Sequence, residues 1–349
     1  PWGWQPRHLL VYSGTRLVAA CPLYLKTNSY GEFVFDWNWA EFWERNGHTY
    51  YPKLVSTVPY TPAAGPRLLT DPEHPQPDRL RALLIEGARQ LATETGCSGM
   101  HWLFTCPVET RQLAESGMAL RMGCQYHWHN DGYANFDDFL DRLSSKKRKN
   151  IRRERRKAHE HGLRIQRLYG REIEERHWDS FHAFYLRTFT EKWGYPTLSR
   201  TFFSLLSERM PESLLLVMAF DGDRAVAGAL DLIGEDTLYG RYWGCLEQHD
   251  LLHFEVSYYQ GIEFAIEHRL ARFEPGAQGE HKIPRGFLPT PTWSAHWIRD
   301  DRLRPMIERF CRHEQQMMRE ECRALYRLSP FRDDALPASQ HPEALGLEP

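Results

Sequence analysis

Four side chains that can bind charge or carry protons are crowded between two glycines: Glu280, His281, Lys282 and Arg285. Lysine and arginine bind anionic groups, whereas glutamate and histidine can transfer protons. The segment follows a predicted strand, and ligands of open α/β sheets sit beyond the carboxyl ends of strands. The pattern therefore predicts a loop that holds an anionic substrate, with a solvated turn as the alternative.

A second group of candidates lies at the start of a helix predicted over 255–270. His253 and Glu255 stand at its first turn, and either type of side chain can act as a general base. The alternative role for Glu255 is an interaction with the positive end of the helix dipole. His249, His253 and Glu255 would also suit a metal ion, but the motif lacks a further spaced ligand and a cysteine, so no metal is predicted.

A cluster in the first part of the chain could line a groove for a sugar or a peptide: Trp37, Asn38, Trp39 and Tyr60. Large aromatic side chains lie more often in a hydrophobic core, which is the alternative.

The most basic stretch is residues 146–157, which hold nine basic side chains and one acidic one. Helical spacing puts them in two adjacent rows, Arg148, Arg152 and Arg155 beside Lys149, Arg153 and Arg156. Neutralising several phosphates would give salt-sensitive binding to a nucleic acid such as tRNA. We predict an exposed positive surface made by Lys149, Arg152, Arg153 and Arg156, with a solvated charged helix as the alternative.

Composition narrows the class of protein. With 349 residues, 42% of them hydrophobic and 26% charged, the chain is typical of a soluble globular protein of about two domains. Seven scattered cysteines without a CxxC pair favour a reducing compartment, so we expect a cytoplasmic protein. No apolar run reaches the ~18 residues of a membrane span. Because the chain starts at Pro1 and opens directly on a strand, we expect that its first domain lacks an N-terminal part.

A hairpin motif occurs twice. Residues 10–20 align without a gap to residues 218–228, matching Gly14 with Gly222 and Arg16 with Arg224. Both copies continue into a Tyr-Gly pair and a predicted aromatic strand, over 31–37 and 237–244. A repeat separated by this distance indicates duplicated domains, and we expect a binding site where the two domains meet.

Alternation, turn residues and apolar stripes predict the remaining elements. The predicted strands are 8–13, 16–26, 31–37, 99–105, 119–129, 163–168, 214–220, 224–233, 237–244 and 271–275. The predicted helices are 78–95, 108–116, 144–161, 174–192, 200–209, 255–270 and 302–325. Residues from 329 onward are rich in proline and polar side chains, which predicts a disordered tail.

This order of elements resembles the GNAT acyltransferase fold used in tandem, as in the FemAB-like family. Three motifs carry the resemblance: residues 62–66 (PAAGP), residues 147–153 (KRKNIRR) and residues 282–287 (KIPRGF). Residues 30–37, 238–244 and 279–282 are similar to the bacterial branch of that family associated with peptidoglycan biosynthesis or recognition. The resemblance implies an α/β (α+β) fold with a first GNAT-like domain over 1–134, a basic helical connector over 135–162, a second domain over 163–328 and a tail over 329–349.

The resemblance also implies an acyl- or aminoacyltransferase that acts on an amine, for example an amine of a peptidoglycan precursor. In the GNAT fold the fourth strand, here 237–244, supplies a backbone donor for the oxyanion, and alternation puts Arg241 and Trp243 on one face with Tyr239. The glycine-rich loop that binds coenzyme A in GNAT enzymes has no equivalent in residues 244–255. We therefore expect no tightly bound cofactor, with aminoacyl-tRNA or acyl-CoA as the donor.

These expectations place the transfer site in the second domain and the acceptor near Trp37, Trp39 and Tyr60. Glu280, His281, Lys282 and Arg285 are predicted to converge with Arg241 and Glu255 on one cleft. Two alternatives are an acyl-CoA-dependent N-acyltransferase for a small-molecule or peptide amine, and a non-catalytic binder of muropeptide or RNA, because a fold alone does not establish activity. The sequence does not specify an oligomeric state.

Overall fold

The structure, a computed structural model, describes residues 3–191 and 194–342. Its strands are β1 (Trp4–Pro6), β2 (Leu9–Ser13), β3 (Arg16–Cys21), β4 (Tyr24–Lys26), β5 (Lys53–Ser56), β6 (Leu69–Thr70), β7 (Gly99–Leu103), β8 (Ala119–His129), β9 (Arg164–Tyr169), β10 (Leu214–Asp221), β11 (Arg224–Ile233), β12 (Thr237–Cys245), β13 (Arg272–Glu274) and β14 (Leu288–Ile298). Its helices are α1 (Trp37–Arg45), α2 (Pro77–Glu94), α3 (Pro107–Glu115), α4 (Phe136–Asp141), α5 (Ser145–Glu160), α6 (Glu175–Glu191), α7 (Arg200–Arg209), α8 (Leu252–Phe254), α9 (Gln260–Glu267) and α10 (Arg304–Tyr326), and a π-helical turn (Glu255–Tyr259) joins α8 to α9. Residue 192, the predicted end of the helix over 174–192, lies outside the described residues.

The chain divides into two compact units. Unit 1 comprises residues 1–124 and 291–322, and unit 2 comprises residues 125–290 and 323–349. Residues 291–322 were expected in the second domain, but the second half of β14 pairs with β7 from Ser294↔Leu103 to Ile298↔Gly99. Pairing between distant strands therefore overrides order along the chain.

Unit 1 contains a mixed sheet with the strand order β1-β4-β5-β7-β14 and a smaller sheet with the order β2-β3-β6. Within the larger sheet β5 runs parallel to β7. Helix α2 buries an apolar stripe that includes Leu80, Leu84 and Ala88, and this stripe joins the core formed with Leu54 and Trp102.

Unit 2 contains a sheet with the strand order β8-β13-β12-β11-β10-β9. Alternate residues of β10 enter different cores. Val217 and Ala219 belong to the core that also contains Val256 of the π-helical turn, whereas Leu216 and Met218 pack with Phe181 of α6. The pairs in this sheet are antiparallel, except that β12 runs parallel to β13. No helix within the described residues is long and apolar enough to cross a membrane.

The repeated hairpin is confirmed at the level of strand register. Pairs Leu10↔Ala20 and Ser13↔Arg16 of β2 and β3 correspond to pairs Met218↔Gly228 and Asp221↔Arg224 of β10 and β11. Both copies carry a bulge at the same place, after residue 11 and after residue 219. Glycine is the first residue of each two-residue turn and has a positive φ, 61° at residue 14 and 58° at residue 222, which other residue types adopt at a cost.

The predicted third strand of the first copy, over 31–37, is wrong. Glu32 and Asp36 are buried in this segment, and both accept hydrogen bonds from the buried Lys53 ammonium group. Phe33 and Phe35, by contrast, are exposed. The alternation thus comes from acids that point inward and aromatic rings that point outward, which is the reverse of a core-facing strand, and α1 begins at Trp37.

The prediction of a disordered tail is wrong for residues 329–342, while residues 343–349 lie outside the described part of the chain. Phe331 is buried and forms a bridge with Leu143. Gln340 is also buried, and its Nε2 donates to the His127 carbonyl oxygen at 2.8 Å. Buried side chains such as Phe331 and Gln340 therefore anchor this segment, although its overall composition is that of a loop.

The basic helix α5 has one inward-facing arginine. Helical spacing put Arg155 in a row with Arg148 and Arg152. Its guanidinium donates to Glu255 at 3.0 and 2.9 Å and to Glu263 at 2.7 and 3.2 Å. Glu255 has 0% of its side-chain surface exposed. The pair therefore joins α5 to the helix that runs from α8 to α9.

We expect Arg155→Met to lower the free energy of unfolding by about 3 to 5 kcal/mol, because breaking a buried ion pair leaves an uncompensated charge. Urea unfolding followed by circular dichroism measures the loss. Arg152→Met is the matched control, since its pair with Asp137 is solvent-exposed and such pairs contribute about 1 kcal/mol or less. Equal losses in the two variants would contradict an anchoring role for Arg155.

Candidate functional site

A cleft lies in unit 2 where the pairing between two parallel strands ends. β12 and β13 are in register over only three pairs, the last of them Tyr239↔Glu274. Beyond that pair the ladder ends, and Gly240 and Pro275 are among the residues that line a cleft of about 250 Å³. On its other edge β12 stays paired with β11, so one strand is fixed in the sheet while its opposite edge faces the cleft.

A β-bulge shapes the cleft wall. Leu230 faces Tyr242 and Asp231 faces Gly240, so Arg241 is the extra residue of β12. The bulge shifts the alternation of side chains. Tyr242 packs against the core of α6 and Trp243 against the opposite core. The prediction that Tyr239, Arg241 and Trp243 share one face is therefore wrong beyond the bulge.

Glycine is required at position 240 by close approach of the backbone. A Cβ atom there would lie 3.0 Å from the Pro275 Cα atom and 3.3 Å from Asp231 Oδ1. Any side chain at position 240 would therefore clash with Pro275.

Two cationic side chains line the cleft. Lys282 is buried, and its Nζ donates to the Gly276 carbonyl oxygen at 2.8 Å. Burial lowers the pKa of Lys282 to about 8. Arg241 is half-buried and its guanidinium lies 5.4 Å from the Tyr242 ring centroid. The cleft can therefore attract an anionic group.

An acidic residue that the sequence reasoning missed also lines the cleft. Asp231 is 2% exposed, and its Oδ2 has no hydrogen-bond partner within residues 3–191 and 194–342. Burial raises the pKa of this carboxyl group well above its usual range. The available signal was an aspartate inside an otherwise apolar strand, because buried acids are rare unless they have a partner.

The helix from α8 to α9 contributes His253, Ser257 and Tyr258 to the cleft. His253 packs against the Trp243 and Tyr258 rings, with centroid distances of 5.0 and 5.3 Å. The Ser257 Oγ atom is buried and has no hydrogen-bond partner among the described residues. π-Helical turns such as residues 255–259 occur frequently at functional sites.

Glu255 does not line the cleft, so the predicted convergence with Arg241 is wrong for this residue. His253 and Ser257 are four residues apart and share a helix face, whereas Glu255 lies two residues from each and points away. Its carboxylate accepts hydrogen bonds from Arg155 and from Gln260 Nε2, the latter at 2.7 Å. This position favours a structural role, and its role in proton transfer stays a prediction.

The segment 280–285 brings only Lys282 into the cleft. His281 lies next to it, with Nε2 2.9 Å from the Tyr258 hydroxyl. Arg285 instead pairs with Glu154 at 2.9 Å and stacks over the Phe254 ring at 3.4 Å. Glu280 lines a separate cavity of about 370 Å³. Of the predicted residues, Arg241, Trp243, His253 and Lys282 meet in one place.

In unit 1, Asn38 and Trp39 line a cavity of about 440 Å³ between α1 and α10. Trp39 is buried and packs edge-on against His296 at 4.9 Å. Trp37 is exposed and packs on Tyr30, while Tyr60 is half-buried near the Trp4 ring. Neither Trp37 nor Tyr60 lines the cavity, so the four predicted groove residues do not form a single surface there.

The predicted exposure of the positive surface on α5 is confirmed. Lys149, Arg152, Arg153 and Arg156 are all exposed. Arg152 lies 3.0 Å from Asp137, and Arg156 lies 3.5 Å from Glu160.

Among the residues that the structure describes, no group of three or more histidine, cysteine, aspartate or glutamate side chains is arranged to hold a metal ion.

Several solved structures share the fold at low sequence identity. The C-terminal domain of a candidate lysylphosphatidylglycerol synthetase from Agrobacterium fabrum superposes with a TM-score of 0.57 at 10% identity, covering 88% of each chain. FemX superposes with a TM-score of 0.54 at 12% identity, covering 88% of this chain and 91% of FemX. L-PGS from Bacillus licheniformis gives 0.52 at 10% identity and covers 89% of each chain. These likenesses confirm the predicted α/β fold with tandem GNAT-like domains.

No curated protein matches the sequence significantly. A family model does match it, over residues 1–333: the FemAB-like family, described as peptidoglycan biosynthesis/recognition. Because this match covers almost all of the sequence, the chain belongs to the FemAB-like family.

Proposed function

We propose that this protein transfers an aminoacyl group from aminoacyl-tRNA to an amine of a peptidoglycan precursor, and that transfer takes place in the cleft between β12 and β13. The observation that carries the proposal is that pairing of these strands ends after Tyr239↔Glu274, beside a cleft that Gly240 and Pro275 help to line. The cleft lies beside a bulged strand, and Arg241, Lys282 and His253 gather around it.

The transfer needs an uncharged acceptor amine held against the donor's acyl carbon. The amine nitrogen attacks that carbon, an amide bond forms, and the bond from the carbon to the donor's ribose oxygen breaks. The nitrogen gives up one proton, and the released ribose hydroxyl gains one. The donor is consumed as a substrate, so no tightly bound cofactor is needed.

Each cleft residue has a role in this proposal. His253 accepts the proton from the attacking nitrogen, because a histidine within reach of the reacting atoms is a common general base. Arg241 and the edge of β12 that borders the cleft face the oxyanion that develops on the acyl oxygen. Lys282 binds an anionic group of the donor, such as a phosphate. Trp243 holds the His253 ring by packing against it.

The family assignment supports transferase chemistry on a peptidoglycan-related substrate. FemX and L-PGS support the fold on which we place it. The exposed basic residues of α5 supply a surface for tRNA. We place the reaction in the cytoplasm, where charged tRNA is made.

An acyl-CoA donor is the second candidate for the same cleft, because Lys282 and Arg241 would also bind a pyrophosphate. The sequence that follows β12 lacks the glycine pair of a coenzyme A loop, and this favours aminoacyl-tRNA. A non-catalytic binder of muropeptide or RNA would keep the cleft but would show no turnover.

The direct test incubates the purified protein with a nucleotide-linked muropeptide acceptor and either charged total tRNA or a set of acyl-CoAs. Mass spectrometry should detect an acceptor that has gained one amino-acid residue, with charged tRNA only. His253→Gln should lower the rate at least tenfold, because the proton acceptor is lost, whereas His313→Gln, on exposed α10, should not. A mass gain with acyl-CoA alone, or no gain with either donor, would contradict the proposal.

The pH dependence of donor binding tests Lys282. Because its pKa is about 8, Lys282 is charged at pH 7 and mostly neutral at pH 9, so a phosphate contact weakens as pH rises. The probe is an amide-linked aminoacyl-adenosine phosphate, and its Kd is measured at pH 7 and at pH 9. We expect this Kd to rise with pH by up to about tenfold more in the wild type than in Lys282→Arg, because arginine stays charged at both pH values. Calorimetry measures both, and equal pH dependence would remove Lys282 from donor binding.

The tRNA surface is tested by Lys149→Glu combined with Arg153→Glu. The double variant should bind tRNA at least tenfold more weakly at low salt and show a shallower decrease of log affinity with log salt, because fewer phosphates are neutralised. Filter binding across a salt series measures both quantities. Arg209→Glu with Arg309→Glu is the control with the same change in charge at exposed residues on other helices, and identical salt slopes for both double variants would return α5 to a structural role.

A further inference from the structure

The cleft contains two buried oxygen atoms that the proposed transfer does not use. Asp231 Oδ2 and Ser257 Oγ each lack a hydrogen-bond partner among the described residues, and both residues line the cleft. An unpaired polar atom inside a protein costs about 1 to 3 kcal/mol, more if it is charged. A ligand that completes the hydrogen bonds of these atoms would remove that cost.

The two cations of the cleft do not satisfy Asp231. Lys282 donates instead to the Gly276 carbonyl oxygen, and among the described residues no ion pair joins Asp231 to Lys282 or to Arg241. Asp231 can therefore bind a positive group of a ligand, while Lys282 can bind an anionic group of the same ligand. Charge complementarity selects a ligand with a positive group at one end and an anionic group at the other.

We propose that Asp231, with Ser257, forms a subsite for the free α-ammonium group of the amino acid being transferred, so that Asp231 determines specificity for an unblocked amino group. The inference rests on the proposed function and adds the residue that distinguishes an aminoacyl donor from a simple acyl donor.

The chemistry of the subsite fits this ligand. An ammonium group offers three donors and a positive charge. It can pair with the Asp231 carboxylate and still has donors for the Ser257 hydroxyl, which lines the same cleft. Pairing with a cation favours the ionised carboxylate, which burial alone disfavours. The cleft, at about 250 Å³, is slightly smaller than the usual ~300 to 1,000 Å³ of small-molecule pockets, so it suits a single amino-acid residue better than a long acyl chain.

Binding of amino-acid amides tests the subsite without any transfer reaction. Glycinamide, alaninamide, serinamide and lysinamide carry the α-ammonium group and lack the carboxylate, and their N-acetyl derivatives lack the ammonium group. Ligand-observed NMR should show at least one amide binding to the full chain at least tenfold more tightly than its N-acetyl derivative. Asp231→Asn should abolish that preference by weakening the binding of the amide and not that of its N-acetyl derivative. Ser257→Ala should weaken the binding of the amide to a smaller extent.

Asp231→Asn keeps the size of the side chain, so the fold should hold, and an unchanged thermal unfolding curve verifies this. Asp223→Asn, at the exposed turn between β10 and β11, is the matched control and should bind like the wild type. The subsite is refuted if no amide binds, if N-acetyl derivatives bind equally, or if Asp231→Asn retains the preference.

Transfer assays separate this inference from the proposed function. The quantity to compare is the rate with N-acetyl-aminoacyl-tRNA divided by the rate with aminoacyl-tRNA. If charged tRNA supports transfer and this ratio is no higher in Asp231→Asn than in the wild type, the subsite is refuted while the function stands. If the amides bind with the predicted preference and no donor supports transfer, the subsite stands while the function is refuted.

Discussion

The geometry of the candidate site depends on one constraint, which is that β12 and β13 stop pairing after three residues. Parallel neighbours in a sheet stay about 4.8 Å apart, and at that spacing no ligand could enter. The pairing ends where Pro275, which has no backbone N–H, follows Glu274, and Arg241 is an extra residue of β12 just beyond the last pair. The opposite edge of β12 remains bonded to β11, so the cleft has a rigid wall. A site built on a fixed strand is preorganised, and preorganised dipoles stabilise charge without a cost of rearrangement.

Elements with strong periodicity could be predicted from the sequence. The strands β10 to β12 and helix α2 were predicted because apolar residues repeat at the spacing of strands or helices, and the basic helix was predicted from its run of basic residues and the glycine that ends it. The hairpin repeat was predicted down to its matching glycines. The segment 31–37 could not be predicted, because a buried lysine on β5 reverses which side chains face inward, and that lysine is distant in sequence. The exchange of residues 291–322 into unit 1 depends on strand pairing that no local pattern records.

The site was predicted in part for a related reason. Lys282, Arg241 and His253 are recognisable by residue type and by their position after a strand or at a helix start. Glu255 has the same attributes, but the choice between cleft and core depends on helix phase and on a partner, Arg155, a hundred residues away. Asp231 carries no motif at all. Only the structure shows that this acid in an apolar strand faces a cleft and that its Oδ2 has no hydrogen-bond partner among the residues described.

The pair formed by Arg155 and Glu255 has a mechanical consequence. Helix α5 carries the exposed basic surface, and the helix from α8 to α9 carries His253 into the cleft. Sliding one helix against the other by a single turn would strand a carboxylate in the interior, at a cost of several kcal/mol. The two helices are therefore expected to move as one body. A polyanion that displaced α5 would displace a wall of the cleft with it, and by thermodynamic reciprocity a ligand in the cleft would change the affinity of α5 for the polyanion by the same factor.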